Sequence, residues 1–179
     1  MVYIFLADGF EEIEALTVVD VLRRADIDIK MVSIKDKLVR GGHGIAVEAD
    51  CMIDEVKSED ADMLVLPGGM PGASNLEQND KLQQLLKYGV DNKKWIAAIC
   101  AAPMILGKKG YLKDIDAICY PGYEKYLQGA IVKDASVNIC RNFVTGKGPG
   151  TALDFAYAIV SLLKDDNTAH SLKIQMQYR

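Results

Sequence analysis

The stretch WIAAICAAPMIL, residues 95–106, passes from a short apolar run into a second one with helical spacing. Ile96–Ile99 has the length of a buried strand, and Ala102–Lys109 follows as a short helix. A strand without polar alternation that leads into a helix is typical of parallel sheets covered on both faces. Cys100 lies at the junction, where it either fills the core or serves as a working thiol.

The same alternation extends over the rest of the chain. The spacing predicts strands over Val2–Ala7, Ile29–Ile34, Met63–Leu66, Ile115–Cys119, Ala130–Lys133, Val137–Cys140 and Phe143–Thr145, and helices over Glu11–Arg24, Asp80–Val90, Pro149–Leu163 and Ala169–Gln177. We expect one α/β domain over residues 1–179, with a doubly wound, mostly parallel sheet between two layers of helices.

Composition excludes several classes of protein. The 179 residues are 50% hydrophobic and 26% charged, with 21 basic and 25 acidic residues and a net charge of −4. No basic surface for nucleic acid is indicated, and no apolar run has the length of a membrane span. The first residues, MVYIFLADGF, read as a strand rather than a secretion signal. We therefore expect a cytoplasmic protein without nucleic-acid or membrane partners.

The metal-binding and disulfide-forming residues show no recognisable pattern. The four cysteines, Cys51, Cys100, Cys119 and Cys140, have no CxxC spacing. The two histidines have no metal-ligand spacing to each other or to a cysteine. We predict no disulfide framework and no metal site.

Unusual loops follow four of the predicted strands, and open α/β sheets bind ligands outside the carboxyl ends of their strands. The loops are residues 8–12 (DGFEE), 67–69 (PGG), 100–103 (CAAP) and 146–150 (GKGPG). None has the spacing of a nucleotide-binding motif. We expect all four to meet at one edge of the sheet.

Cys100 is the candidate nucleophile of this edge. A thiol at a helix N-terminus has a lowered pKa, and the neighbouring alanines permit the sharp turn of a nucleophile elbow. The backbone N–H groups of Ala101 and Gly69 could form an oxyanion hole. The alternative is that Cys100 is a small buried hydrophobe.

Three acidic residues, Glu11, Glu12 and Glu14, open the first helix. Compensation of the helix dipole is a sufficient explanation for Glu11 and Glu12. Glu14 shares a row with apolar residues, so burial is expected to raise its pKa. A protonated Glu14 could donate a hydrogen bond to a Cys100 thiolate or move a proton.

Taken together, these segments resemble the ThiJ/PfpI superfamily, in the branch of the Parkinson-disease-associated deglycase and the bacterial YajL-type proteins. The matching stretches are ADGFEEIEA at 7–15, DVLRR at 20–24, VLPGGMPGA at 65–73, AAICAAP at 97–103 and GKGPGTALDFAYAIV at 146–160. The resemblance implies a flavodoxin-like fold, a homodimer, Cys100 as the reactive cysteine, Glu14 as its protonated partner, and Gly69 and Ala101 as oxyanion-hole residues.

The resemblance also implies a function and reveals one departure. Family activities are cofactor-independent glyoxalase or deglycase chemistry on methylglyoxal and glyoxal adducts, together with protection against oxidative stress. Many members place a histidine near the elbow, where this chain has Tyr120. A tyrosine, with an ordinary pKa near 10, is a poor general base, so peptidase chemistry is not expected. His43 either lines the site or is a surface turn residue.

Two functional hypotheses follow. In the first, the Cys100 thiolate attacks a small 2-oxoaldehyde, and Glu14 moves a proton between adjacent carbons without metal or glutathione. In the second, Cys100 belongs to a redox sensor or a stress-protective chaperone without significant turnover, because an acid that binds a thiolate can also bind a sulfinate.

Overall fold

A central sheet of seven strands organises the molecule, and the computed structural model describes residues 1–178. The strands in chain order are β1 Val2–Leu6, β2 Ile29–Ser33, β3 Leu38–Arg40, β4 Ala46–Glu48, β5 Cys51–Met52, β6 Met63–Leu66, β7 Trp95–Ile99, β8 Asp116–Ala117, β9 Ile131–Val132, β10 Val137–Cys140 and β11 Phe143–Gly146. The central sheet has the order β10-β11-β7-β6-β1-β2-β5. In this sheet, as described over residues 1–178, β10 is the one strand that runs antiparallel to its neighbour.

Six α-helices cover the two faces of this sheet. They are α1 Glu12–Arg24, α2 Gly72–Gln78, α3 Asp80–Asp91, α4 Pro103–Lys108, α5 Ala152–Leu163 and α6 Asp166–Gln175. Buried residues of α1, α5 and α6 form one apolar cluster, and those of α2, α3 and α4 form the other. The predicted doubly wound α/β fold is confirmed.

Strand β1 shows why the sheet needs both layers. Its five residues are all buried, and alternate side chains enter opposite cores: Tyr3 and Phe5 on one face, Val2, Ile4 and Leu6 on the other. Between them, the helices must therefore cover both faces. Among residues 1–178, none of the helices combines the length and the apolar composition that crossing a membrane requires.

Some local predictions differ from the structure. The predicted strand Ile115–Cys119 contracts to Asp116–Ala117, because the amide of Ile118 donates to the buried Thr145 side chain instead of a neighbouring strand. Helix α2 was not predicted, since its sequence GASNLEQ contains several weak helix formers. The long helix begins at Ala152 after a 3₁₀ turn over Pro149–Thr151, and the last helix begins at Asp166, three residues before its predicted start.

The expected gathering of loops at one edge is observed. Strands β1, β6, β7 and β11 are parallel and form one contiguous part of the sheet, so their carboxyl ends lie side by side. Backbone hydrogen bonds join the loops: Glu11 N–H donates to the Gly68 carbonyl at 3.0 Å, and Cys100 N–H to the Gly146 carbonyl at 3.0 Å.

Candidate active site

Cys100 forms a sharp turn between β7 and α4. Its φ of 63° lies in the left-handed region, which costs roughly 1–3 kcal/mol for a non-glycine residue and is common at functional sites. Neighbouring loops hold this conformation, because its N–H bonds to Gly146 and its carbonyl accepts from Tyr120 N–H at 2.8 Å. The side chain is half-buried and remains reachable from solvent. These features are those of a nucleophile elbow.

Glu14 is the acidic partner that the structure brings to this cysteine. Its side chain is fully buried on the first turn of α1, and its Oε2 accepts from the N–H of Gly68 at 2.7 Å. Within residues 1–178, Oε1 has no hydrogen-bond partner. Burial raises the pKa of Glu14 to about 7, although the facing Cys100 thiol and the Gly68 amide lower it. The predicted rise is therefore present.

Gly68 keeps these two groups close together and was not singled out from the sequence. A Cβ at this position would lie 2.7 Å from the Cys100 Cβ, 2.8 Å from Glu14 Oε2 and 3.0 Å from Cys100 Sγ. No side chain fits there. The available signal was the glycine pair that directly follows a buried strand, since paired glycines often mark a close approach of backbone to another group.

Gly69 and Ala101, the residues of the predicted oxyanion hole, lie beside Cys100. Their backbone amides face the Cys100 sulfur and favour its charged form. Gly69 has a φ of 84°, and a Cβ there would lie 2.4 Å from the Glu11 nitrogen, so glycine is required to turn its amide inward. Their role toward a substrate oxygen stays a prediction.

The expected lowering of the Cys100 pKa is wrong. Burial, followed by the charge and hydrogen bonding of Glu14, raises the pKa of the thiol to about 12, and the amides of Gly69 and Ala101 offset only part of this rise. Helix α4 is short and begins at Pro103, three residues beyond the cysteine. Its dipole therefore contributes less than the sequence suggested.

Cys100 and Glu14 are best understood as one coupled acid. Neither has a cationic partner among the groups that shift its pKa, so burial and mutual repulsion disfavour two negative charges. Near neutral pH, loss of one proton leaves the other shared by a carboxyl and a thiol. Chemically, the carboxylate can take the proton of the thiol as the sulfur attacks an electrophile.

Glu12 and His43 form a second polar cluster at the start of α1. Glu12 is buried, and its carboxylate accepts from the His43 amide at 2.8 Å, from the Ile45 amide at 3.3 Å and pairs with the His43 ring Nδ1 at 2.9 Å. Glu11 Oε2 lies 3.5 Å from the same ring nitrogen. Dipole compensation is thus an insufficient explanation for Glu12, which fixes the loop between β3 and β4. A turn there was expected, but its anchor was not.

The structure places the two remaining candidates differently. The His43 imidazole contacts Glu11 and Glu12 rather than Cys100. The backbone N–H of Tyr120 donates to the Cys100 carbonyl. Tyr120 as a whole is 46% exposed, and its ring lies near Gly148, where an added Cβ would approach it to 3.1 Å. Tyr120 therefore borders the site, and His43 acts on the loop behind it.

One group within residues 1–178 has the composition of a metal site, namely Glu11, Glu12 and His43, whose potential ligand atoms all lie within 4.8 Å of one another. Hydrogen bonds account for this arrangement, because both oxygens of Glu12 already accept from N–H groups. We assign no metal to the group, and the predicted absence of a metal site stays a prediction.

Comparisons with known proteins relate the whole chain to one family. Residues 1–162 match the model of the DJ-1/PfpI family. Protein DJ-1 homolog B of Arabidopsis thaliana is 35% identical over 157 residues, which cover 87% of this chain and 36% of the relative. The chain spans less than half the length of the two Arabidopsis relatives that it matches.

Two further proteins resemble nearly the whole chain at comparable length. The Caenorhabditis elegans protein named glutathione-independent glyoxalase DJR-1.2 is 32% identical, covering 90% of this chain and 87% of its own. The solved structure of oxidized DJ-1 from Toxoplasma gondii superposes with a TM-score of 0.95 at 34% identity, covering 99% of this chain and 97% of that one. The matched family model, the identities and the shared fold together show that the chain belongs to the DJ-1/PfpI family.

Proposed function

We propose that the chain is a cysteine-dependent, cofactor-independent glyoxalase or deglycase-type protein that acts on small 2-oxoaldehydes, such as methylglyoxal and glyoxal, or on their adducts. The observation that carries the proposal is the buried carboxyl of Glu14, which faces Cys100 and has no cation, within residues 1–178, among the groups that shift its pKa. A relative named as a glutathione-independent glyoxalase lends further support.

The first step would form a bond between the Cys100 sulfur and the aldehyde carbon of methylglyoxal. Glu14 accepts the thiol proton, and the carbonyl electron pair moves to the oxygen, which the amides of Gly69 and Ala101 stabilise. Return of the proton to that oxygen gives a neutral hemithioacetal. The raised pKa of Glu14, about 7, suits a group that must both accept and return a proton near neutral pH.

The second step would move a proton between adjacent carbons. Glu14 removes the hydrogen of the former aldehyde carbon to give an enediolate, with the charge on the oxygen of the neighbouring carbon. The hydroxyl proton of the former aldehyde carbon passes to that oxygen and Glu14 returns its proton to the neighbouring carbon, which leaves a thioester on Cys100 and a hydroxyl beside it. Water hydrolyses this thioester to lactate and restores the thiol. The aldehyde carbon is oxidised as its neighbour is reduced, so the reaction consumes only water and needs no external oxidant.

The decisive experiment is lactate formation from methylglyoxal by the purified chain, without glutathione. We expect Cys100→Ser and Glu14→Gln each to reduce the rate by at least about 100-fold, the usual contribution of a nucleophile or a proton-transfer group. Cys140→Ser, which removes another partly exposed thiol, is the matched control and should retain the activity. Unchanged rates in both site variants would refute the proposal.

A redox role is the second candidate, and the two amides that face the Cys100 sulfur favour it. They could bind the oxygens of a sulfinate, with a protonated Glu14 as a third donor. The related structure from Toxoplasma gondii is described as oxidized. This role predicts that limiting peroxide oxidises Cys100 before Cys51, Cys119 and Cys140. Equal oxidation of all four, measured by mass spectrometry of peptides, would argue against it.

A further inference from the structure

The loop between β3 and β4 lies beside the site, and the chemistry proposed above does not use it. Buried Glu12 anchors this loop through the amides of His43 and Ile45 and through the His43 ring. Gly41 allows the contact, because a Cβ there would lie 2.2 Å from Glu12 Oε1. The loop is thus held to α1 by the same helical turn that carries Glu14.

Backbone contacts connect this loop to the reacting groups. Gly42 N–H donates to the carbonyl of Phe10 at 2.8 Å, and the next residue, Glu11, donates to the carbonyl of Gly68 at 3.0 Å. Gly68 N–H in turn donates to Glu14. Gly42 precedes His43 in the loop, so these hydrogen bonds and the peptide bond between Phe10 and Glu11 connect the loop to Gly68 and Glu14.

Charge supplies a second connection. Glu11 interacts with both His43 and Glu14. Its Oε2 is 3.5 Å from His43 Nδ1, and its negative charge raises the pKa of Glu14. The hydrogen bond to Glu12, followed by the charges of Glu11 and Glu12, raises the pKa of His43 and favours the imidazolium. The nearby guanidinium of Arg40 donates to the carbonyl of Gly44 rather than to either glutamate.

We propose that His43 is a positioning residue of the Cys100–Glu14 site, which holds the loop against α1 and offsets the charge of Glu11 that faces Glu14. His43 touches neither reacting group, so it acts through Glu11 and Glu12. This role rests on the site of the proposed function, but the effect of His43 on the acidity of the Cys100–Glu14 pair does not depend on which substrate the site takes.

The test measures the midpoint of the step near neutral pH in the rate of Cys100 alkylation by iodoacetamide, read by mass spectrometry of the peptide that carries Cys100. This step follows loss of the first proton from the Cys100–Glu14 pair, near the Glu14 pKa of about 7, a range in which the raised pKa of His43 favours its imidazolium. In His43→Gln, the uncompensated charge of Glu11 should move the midpoint upward by roughly 0.2–0.7 pH units, the range expected for an exposed charge pair. His43→Arg, a permanent cation, should leave the midpoint at or below that of the unmodified chain. His170→Gln, which alters the other histidine on α6, should not move it.

A double variant separates charge from simple loss of structure. Glu11→Gln removes the charge that His43 offsets, so adding His43→Gln to it should produce less than half of the shift seen alone. The shift should also shrink in 1 M salt, where exposed charges are screened. An unmoved midpoint in His43→Gln, an equal upward shift in His43→Arg, or a full shift in the double variant would overturn the proposal.

This result does not depend on turnover. If the chain makes no lactate but His43→Gln moves the alkylation midpoint, the proposed function fails while the role of His43 stands. If lactate forms but the midpoint does not move, the proposed function stands and the role of His43 fails.

Discussion

At the scale of single residues, the site depends on how closely three segments approach. Cys100 and Glu14 approach Gly68 so closely that residue 68 has no space for a side chain of its own. Cys100 adopts a left-handed conformation that neighbouring loops must hold. Both features constrain the backbone, so the effect of a substitution at either position can be predicted.

Replacement of Gly68 by alanine should disable the site. The added Cβ would lie 2.7 Å from the Cys100 Cβ, so the cysteine must shift, and misplacement of a reacting group by about 1 Å costs roughly 100-fold in rate. We expect a loss of that size in lactate formation. The matched control is Gly150→Ala, where an added Cβ meets nothing within 4 Å. Equal rates for the two variants would contradict the prediction.

The acidity of Glu14 should also appear in the stability of the fold. Its pKa rises from 4.5 to about 7 on folding, so between these values the folded chain binds a proton that the unfolded chain has lost. Stability attributable to Glu14 therefore falls as pH increases through this range. We expect urea unfolding at pH 5 and pH 8 to show a decline that Glu14→Gln lacks, by at most about 3 kcal/mol. An identical decline in both proteins would refute the assignment.

At the scale of elements, the first turn of α1 carries both the residue that anchors the loop between β3 and β4 and the acid that faces Cys100. Glu12 and Glu14 are both buried there, yet one is an ion held by N–H donors and the other is a weak acid. Hydrogen bonds from His43 and Ile45 lower the pKa of Glu12 against the effect of burial. Among residues 1–178, Glu14 accepts from one backbone amide, and its other oxygen has no hydrogen-bond partner. The two glutamates thus differ in pKa because Glu12 accepts more hydrogen bonds than Glu14 does.

Loss of the Glu12 charge should loosen the loop between β3 and β4. In Glu12→Gln, the amide group cannot pair with both the backbone amides and the ring of His43, so we expect a loss of about 1–3 kcal/mol in the free energy of unfolding. The comparison is Asp20→Asn on the same helix, which breaks an exposed pair with Arg24 and should cost less than about 0.5 kcal/mol. Urea denaturation measures both. A smaller loss for Glu12→Gln than for Asp20→Asn would show that the anchor is unimportant.

Much of this could be predicted from the residues, and the exceptions have physical causes. Buried strands such as Met63–Leu66 are visible as apolar runs, and the loops at their carboxyl ends follow from parallel pairing. The place of Glu14 follows from helical spacing. The pKa of Cys100 was predicted wrongly because it depends on burial and on the charge of a residue distant in the chain. The contacts of Glu12 and Gly68 are equally non-local.

At the scale of the whole molecule, several apolar side chains remain exposed. Ile13 on α1 is 55% exposed, and Ile45 in the loop that Glu12 anchors is 54% exposed. Exposed apolar residues near one another favour association, and resemblance to the family implies a homodimer. We propose that two copies make contact through Ile13 and Ile45 and that the neighbouring His43, whose side chain is 71% exposed, stays open to solvent at the rim of this contact.

Light scattering after size-exclusion chromatography tests this proposal. We expect the unmodified chain to elute with twice its own mass and Ile13→Asp to elute as a monomer, because a buried unpaired carboxylate is strongly unfavourable in an interface. Ile174→Asp on α6, at a residue 59% exposed, is the control and should remain dimeric. A monomeric unmodified chain, or dissociation of only the control, would contradict the assignment.

The joining of distant strand ends at Cys100 has a consequence for folding. Glu14, Gly68 and Gly146 reach the cysteine only after the parallel strands that precede their loops have paired, and such pairing is slow because it links remote parts of the chain. Until then Cys100 is an ordinary exposed thiol, with neither its twisted backbone nor its acidic neighbour. In a refolding chain, the reactivity of Cys100 therefore reports whether these long-range contacts have formed.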